Sequence, residues 1–150
     1  MKLPIATLLL VCLAAHAGDA ADSDPRARLM GHWLAASGNV EVEIAAREPP
    51  PDASRLCGKI TRVLANSSMS GSGQTMSERN DVGLQISADF AEAGGDRFPG
   101  RILNRENGKV YNCIPRPGAE GEMLVRPYVL VSLFRQTQIW HRQPRRSAPR

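Results

Sequence analysis

Histidine and cysteine are scarce in this sequence of 150 residues, which contains three of each. No serine lies in the G-x-S-x-G setting of a nucleophile elbow, and Gly71 and Gly73 are not followed by the Gly-Lys-Ser/Thr of a phosphate-binding loop. The cysteines lack the C-x-x-C spacing of a redox motif. We therefore predict no catalytic residue, no metal site and no cofactor, and the sequence favours a protein that is not an enzyme.

The chain also lacks an apolar run long enough to span a membrane. Its longest run, "LPIATLLLVCLAA", follows Met1 and Lys2 and has the length of a signal-peptide core. "AHA" at 15–17 fits a small-x-small cleavage site, so residues 1–17 are predicted to be a signal peptide, cut after Ala17 or after Ala20. The alternative is a buried N-terminal helix. Export would leave residues 18–28 as a polar lead, with a short helical turn from Arg26 to Met30.

A basic face is missing as well, although the net charge is +4. Lys2 supplies one of these four charges, and the tail at 143–150 supplies the other three with Arg145, Arg146 and Arg150. The remaining body is neutral, which argues against a nucleic-acid partner. The tail is predicted to be a solvated, disordered end, or alternatively a contact with an anionic lipid or another polyanion of the cell envelope.

Two cysteines, Cys57 and Cys113, remain after signal removal. An even pair in an oxidising compartment favours a disulfide, which would close a loop of more than fifty residues. The alternative is two buried free thiols. Disulfide geometry is strict, and the sequence does not decide between them.

What the sequence does contain is short strands. "VEVEI" alternates, with Val42 and Ile44 on one face and Glu41 and Glu43 on the solvent side. "VGLQISADF" alternates from Val82 to Phe90, and Asn107-Gly108 predicts a two-residue type I′ hairpin. About eight such strands with regular turns, and no long helix, predict an all-β antiparallel barrel or sandwich of one domain.

Two features interrupt this pattern. The Gly/Ser-rich stretch Ala65 to Asp81 is too long and polar for a tight turn and is predicted to be a flexible flap. Pro127 lies inside the seventh strand and predicts an edge, a bulge or a break, because proline has no backbone N–H to donate to a ladder.

The segments "GHWLAASGNVEVEI", "LCGKI", "VGLQI", "GRILNRENGKVYNC" and "MLVRPYVLVSLFRQTQIWHR", taken in order, resemble the DUF2147 family of exported bacterial proteins. The resemblance covers roughly Leu29 to Arg142 and implies a periplasmic location and a single up-and-down β-barrel like those of lipocalins and other calycins. It also implies that a small apolar ligand or a lipid binds inside the barrel. The chain departs from the family at Pro127, Leu130 and Arg135, in the 65–81 loop, and in lacking the additional cysteines.

The barrel implied by this resemblance assigns roles to particular residues. In calycin-like barrels, a first-strand tryptophan packs at the closed end beside a basic residue of the last strand, which here indicates Trp33 and Arg142. The alternative is that Trp33 is plain core. Alternate strand residues are predicted to line the interior: Val42, Ile44, Ile60, Leu84, Ile86, Phe90, Ile102 and Leu124.

Three functions compete at this point. The first is a periplasmic binding protein for a small apolar ligand. The second is a non-catalytic interaction or structural module of the envelope with a fully packed barrel. The third is an enzyme that uses a loop residue, or His32 and His141, which would lie on neighbouring strands if the barrel closes. The same two imidazoles could alternatively bind a metal, with Cys57 or a carboxylate as a third ligand. The size of the interior cavity separates the first two.

Overall fold

The computed structural model describes residues 24–48, 52–65, 81–128 and 136–145. Within these ranges the chain forms one short helix and eight strands. They are α1 (Pro25–Leu29), β1 (Gly31–Leu34), β2 (Val40–Ala46), β3 (Leu56–Val63), β4 (Gln85–Phe90), β5 (Gly100–Leu103), β6 (Val110–Pro117), β7 (Glu122–Tyr128) and β8 (Gln138–Gln143). A single 3-10 turn, Asp52–Ser54, precedes β3. The predicted signal peptide, most of the predicted flap and the end of the tail lie outside the described residues.

The strands form a closed barrel in sequence order. Each strand pairs antiparallel with its neighbours, and β1 pairs with β8 through Trp33 opposite Arg142 and Leu34 opposite His141. The prediction of an all-β up-and-down barrel of about eight strands is therefore confirmed. Closure explains how such short strands are stable together, because it leaves no unpaired sheet edge.

Side-chain alternation directs one face of each strand into the barrel. In β2, Val42 and Ile44 are fully buried, as the alternation predicts. Glu41 is on the outer face, yet only 8% of it is exposed, because it lies opposite Arg62 and accepts a hydrogen bond from its guanidinium at 3.0 Å. A residue on the outer wall of a barrel can thus be buried when a long neighbouring side chain covers it.

The predicted alternation of the fourth strand is wrong in two respects. The strand begins at Gln85, and the register against β3 shifts twice, which marks bulges. Ser87 consequently lies opposite Gly58 in the interior, whereas Ala88 pairs with the exposed Arg101 on the outer wall. A bulge adds an unpaired residue and reverses the faces of the residues that follow it, and the second shift restores the original phase, so that Phe90 still packs in the core.

Asp89 lies at one of these irregularities and has a left-handed backbone conformation, with φ of 62°. Its carboxylate accepts a 2.7 Å hydrogen bond from Arg47 and another from Arg101. The hydrogen bond from Arg101 is the main reason that the pKa of Asp89 lies below its ordinary value, and the positive charges of Arg101 and Arg47 act in the same direction. This ion-pair cluster joins β4 and β5 to Arg47, the residue that follows β2.

The predicted two-residue turn at Asn107-Gly108 is also wrong in length. The β5–β6 connection runs over 104–109 and closes when the Gly108 amide donates to the Asn104 carbonyl at 2.9 Å. Gly108 has a positive φ of 68°, but Asn107 does not, so the type I′ geometry is absent. The side chains of Asn104 and Asn107 instead accept hydrogen bonds from the amides two residues further along, which builds a longer turn.

The predicted disulfide is contradicted, since Cys57 and Cys113 are both free and buried. Cys113 lies opposite Pro127 and, like the buried Pro115 two residues along, faces the interior. Cys57 lies opposite Ala45 of β2. Its two neighbours along β3 face inward, so Cys57 lies on the outer face of that strand. Two thiols on opposite faces of the barrel wall, on strands that are not neighbours, cannot meet at disulfide distance.

Candidate functional site

The two ends of the barrel differ in the length of their connections and in their filling. At one end, which we call the closed end, α1 packs beneath the strands and Leu29 is completely buried. The β4–β5 loop inserts Phe98, also fully buried, with its amide donating to Pro115 at 3.1 Å. At the other end, which we call the mouth, lie the β1–β2 and β5–β6 connections and the described ends of the β3–β4 and β7–β8 connections.

Trp33 and Arg142 meet at the closed end. The guanidinium of Arg142 lies over the indole of Trp33, 4.3 Å from the ring centroid. It also donates hydrogen bonds to the carbonyl oxygens of Met30, at 2.9 Å, and of Arg28. The indole Nε1 of Trp33 in turn donates to Leu29 at 2.9 Å. These bonds connect the first strand, the last strand and α1 into one plug.

Gly31 completes this plug. Its φ of +125° is a conformation that L side chains rarely adopt, and a Cβ built there would lie 2.6 Å from Nη1 of Arg142. Burial of the guanidinium, with a smaller effect from the charge of Arg28, lowers the pKa of Arg142 below its ordinary value. The Gly-His-Trp triplet therefore places an indole under a guanidinium, and the glycine leaves room for that guanidinium.

The mouth contains a cavity of about 730 Å³. This volume lies within the range of roughly 300–1,000 Å³ that is typical of small-molecule sites. Its apolar wall includes Ile86, Ile102 and Trp140, and its rim includes the turn that follows β1 and the start of β8. The full lining is Ala35, Ala36, Ser37, Asn39, Val40, Ile86, Ile102, Leu103, Asn104, Arg105, Glu106, Tyr111, Pro127, Gln136, Thr137, Gln138, Ile139 and Trp140.

Small side chains form part of the cavity wall. The β1–β2 hairpin contributes Ala35, Ala36 and Ser37 to the lining, whereas the same strand carries Trp33 towards the closed end. The described ladder between β7 and β8 also stops at Val125 opposite Gln138. Pro127 lies beyond that point and lines the cavity, so the predicted interruption at this proline coincides with the opening of the barrel.

Of the eight residues predicted to line the interior, the cavity is lined by two, Ile86 and Ile102. Four others point inward but belong to the packed core nearer the closed end: Val42, Ile44, Ile60 and Phe90.

The remaining two predictions are corrected. Leu84 precedes β4 and is 36% exposed. Leu124 pairs with Arg116 of β6 and Ile139 of β8. Its neighbours along β7, Met123 and Val125, face inward, so Leu124 faces outward. The prediction for Leu124 placed the strand one residue out of phase, and a shift of one residue exchanges the two faces.

The cavity has two charged lining residues, Arg105 and Glu106, and they are in different situations. Arg105 bonds the carboxylate of Asp81 through Nε at 2.8 Å and Nη2 at 2.7 Å, and their side chains are only 7% and 11% exposed. The Oε1 of Glu106 is shielded from solvent and accepts no hydrogen bond within the part of the chain that the structure describes. A carboxylate oxygen in this state lacks the donors that normally accompany burial.

The two histidines lie away from this cavity, on the outer wall. His32 faces Glu43, with 3.7 Å between Nε2 and Oε1, and His141 is opposite Leu34 on one side and Glu122 on the other. Among the described residues no group of three or more His, Cys, Asp or Glu is arranged to hold a metal ion.

Sequence reasoning missed Glu106, Arg105 and Trp140 as cavity residues. The signal that could have found them is topological: in an up-and-down barrel every second connection meets at the same end. The "NRENG" turn and the start of the last strand are therefore brought together. The same alternation between the two ends of the barrel places Arg142 and α1 at the closed end.

The family model described as "Uncharacterized protein conserved in bacteria (DUF2147)" matches residues 31–142. Neither the curated proteins nor the solved structures include a match to this chain. Among the described residues there is no helix with the length and apolar character needed to cross a membrane. The matched segment begins at the glycine of the closed-end plug and ends at its arginine, and the chain belongs to the DUF2147 family.

Proposed function

We propose that this protein is an exported, periplasmic binding protein that holds a small apolar ligand or lipid in the mouth cavity and is not an enzyme. The cavity of about 730 Å³ carries this proposal, because an apolar-walled space of that size inside a closed barrel suits one small ligand. The signal-peptide pattern at residues 1–17 supports export.

The division of the interior supports binding at the mouth rather than throughout the barrel. Trp33, Phe98 and Leu29 fill the closed end and are at most 1% exposed. A ligand would therefore rest on the packed core as a floor, with Ile86 and Trp140 beside it. The non-enzymatic part of the proposal is supported by the positions of His32 and His141, which are outside the cavity.

The test is a titration of delipidated protein with the neutral fluorophore N-phenyl-1-naphthylamine, together with mass spectrometry of solvent extracts from protein purified from the periplasm. Saturable binding at one site and an extractable apolar molecule are expected. A flat titration and an empty extract would refute the proposal and leave the packed envelope module as the better hypothesis.

A matched pair of variants places the site. Ile102→Trp adds bulk at a residue that lines the cavity. Ile114→Trp makes the same change on the outer wall, because Ile114 lies on β6 between the inward-facing Cys113 and Pro115. We expect fluorophore affinity to fall with Ile102→Trp and to be retained with Ile114→Trp, when both variants show cooperative thermal unfolding. Equal affinities in the two variants would mean that the fluorophore binds elsewhere.

A further inference from the structure

Charged side chains are distributed differently on the two sides of the barrel's outer wall. On the side of β2 and β3, Arg62 bonds the carboxylate of Glu41 at 3.0 Å. Near β4 and β5, Asp89 accepts hydrogen bonds from Arg47 and Arg101. These guanidinium groups are neutralised by adjacent carboxylates, so this side of the wall offers little attraction to an anionic partner.

The side formed by β6, β7 and β8 carries unmatched cations. Arg116 and Arg126 are exposed on the outer faces of β6 and β7 and make no side-chain hydrogen bond or ion pair within the described residues. Lys109, exposed in the β5–β6 turn, adds a third cation on the mouth side. The carboxylate of this side, Glu122, is half-buried at its closed-end edge. The net charge here is therefore positive.

The same side exposes large apolar side chains. Val110 is 60% exposed, Tyr128 53% and Ile139 42%. Tyr128 pairs with Asn112, two residues from Val110, so that Val110 and Tyr128 are diagonal neighbours on the outer wall. Apolar residues scattered singly over a surface need no explanation, whereas these are grouped beside unmatched cations. We call the outward residues of this side the β6–β8 face: Val110, Ile114, Arg116, Arg126, Tyr128 and Ile139.

The β6–β8 face lies on the outside of the cavity wall. Val110 precedes Tyr111, and Ile139 precedes Trp140, and both Tyr111 and Trp140 line the mouth cavity. Successive residues of a strand point to opposite faces, so the strands that wall the cavity on the inside also carry this face on the outside. A partner bound to the β6–β8 face would therefore lie beside the mouth.

From the unmatched cations and the exposed apolar side chains together, we propose that the β6–β8 face docks on the surface of a lipid bilayer that contains anionic lipids. Arg116 and Arg126 contact lipid phosphates, and their aliphatic stems lie along the apolar side chains between them. Tyr128 is of a residue type that is enriched at the membrane–water interface, because its ring is apolar and its hydroxyl is polar. The inference goes beyond the proposed function and does not depend on it.

The shape of the face favours a bilayer over an acidic protein. The outer wall of a barrel is convex, and a deformable lipid surface can follow a convex face. A protein partner needs complementary shape over roughly 800 Å² on each side. Binding to a bilayer instead increases with the apolar area buried and with the number of basic residues near anionic head groups.

The experiment is sedimentation of the purified protein with vesicles of phosphatidylcholine alone, or of phosphatidylcholine mixed with phosphatidylglycerol. We expect the protein to sediment with the anionic vesicles and to bind the neutral vesicles at least about tenfold more weakly. Binding to the anionic vesicles should fall as salt is added, because salt screens exposed charges.

Two double variants locate the contact. Arg116→Gln with Arg126→Gln should weaken binding to anionic vesicles by about 10- to 30-fold, since each basic residue near an anionic surface contributes about fivefold. Lys59→Gln with Arg97→Gln is the matched control, because it removes two exposed cations from β3 and the β4–β5 loop. This control should bind nearly as wild type does.

A third variant tests the apolar part of the face. Tyr128→Ser removes exposed apolar area without changing the charge, and it should weaken vesicle binding by about fivefold while leaving its salt dependence unchanged. All of these side chains are exposed, so the variants should unfold thermally as wild type does.

Several outcomes would overturn the docking proposal. Equal vesicle binding by the two double variants would do so. So would binding that is lost only when Arg145, Arg146 and Arg150 are replaced by glutamine, because the contact would then belong to the tail. Absence of binding to anionic vesicles at low salt would leave an acidic protein as the better partner.

The docking proposal and the proposed function fail separately. Titration with N-phenyl-1-naphthylamine should give the same affinity for wild type and for Arg116→Gln with Arg126→Gln, since neither residue lines the cavity. A flat fluorophore titration of a protein that binds anionic vesicles would refute ligand binding and support docking. Fluorophore binding without vesicle binding would do the opposite.

Discussion

Replacing Arg142 by methionine should destabilise the barrel substantially, although the residue lies near the chain terminus. The change removes a cation that lies 4.3 Å from the Trp33 ring centroid, a contact worth about 0.5–1 kcal/mol at a partly exposed site. It also removes two charge-assisted hydrogen bonds to Met30 and Arg28, worth about 1 kcal/mol each after allowance for solvent. We expect the free energy of unfolding to fall by about 2–3 kcal/mol.

The assay is urea-induced unfolding of the variant and of a matched control, Arg116→Met. Arg116 is exposed on β6 and makes no side-chain hydrogen bond or ion pair within the described residues, so its loss should change stability by less than about 0.5 kcal/mol. The midpoint of thermal unfolding of Arg142→Met should fall by roughly 6–15 °C. Arg142→Lys should recover part of the loss, because lysine keeps the charge but not the planar fork.

A double-mutant cycle isolates the stacking contribution. Arg142→Met combined with Trp33→Phe should show a coupling free energy of about 0.5–1 kcal/mol, since each change alone already weakens the same contact. Equal stabilities of Arg142→Met and Arg116→Met would refute the account of the closed end. A coupling of zero with a large single-variant effect would assign the stabilisation to the hydrogen bonds alone.

Three further predictions follow from the geometry. Gly31→Ala should lower the free energy of unfolding by about 2–3 kcal/mol, and Gly38→Ala, with positive φ in open space, by only about 1 kcal/mol; urea unfolding of both variants checks the difference. Asp89→Asn, which tolerates the positive φ, should be less stable than wild type near neutral pH. Because the folded-state pKa of Asp89 is lowered, that difference should shrink as the pH falls below the ordinary carboxyl range and vanish below the folded-state pKa, and a difference that does not shrink with falling pH would contradict the ion-pair account. Burial raises the pKa of the Cys113 thiol to about 12, so wild type should lose stability relative to Cys113→Ala as the pH rises from about 9 towards 12, and parallel pH profiles would contradict this.

The sequence predicts the barrel well because its signals are local. Alternation in "VEVEI" assigns Val42 and Ile44 to the interior, and turn residues divide the remaining strands. The bulges of β4 depend on how its register fits both neighbours, which no local pattern contains, and so Ser87 was not expected inside. The same limit explains Leu124, whose strand begins one residue out of phase with the prediction.

The candidate site was predictable only in outline. Ile86 and Ile102 follow from alternation, but the other cavity residues come from turns and strand ends that only the closed barrel brings together, among them Ala35, Arg105 and Trp140. Glu106 was missed because a charged residue in a turn is usually solvated, whereas the tertiary structure leaves this one half-buried with its Oε1 shielded from solvent.

The two halves of the interior assign stability and binding to different residues, and this separation can be tested. A barrel filled along its whole length would lose stability wherever an inward residue is changed, whereas this one has a filled end around Trp33 and a cavity beside Ile102. Arg142→Met should therefore lower stability while leaving the affinity of the folded protein for N-phenyl-1-naphthylamine unchanged, and Ile102→Trp should lower that affinity with a smaller effect on stability. If both variants changed both quantities, the cavity and the plug would form one cooperative unit, and the mouth could not be treated as a separate site.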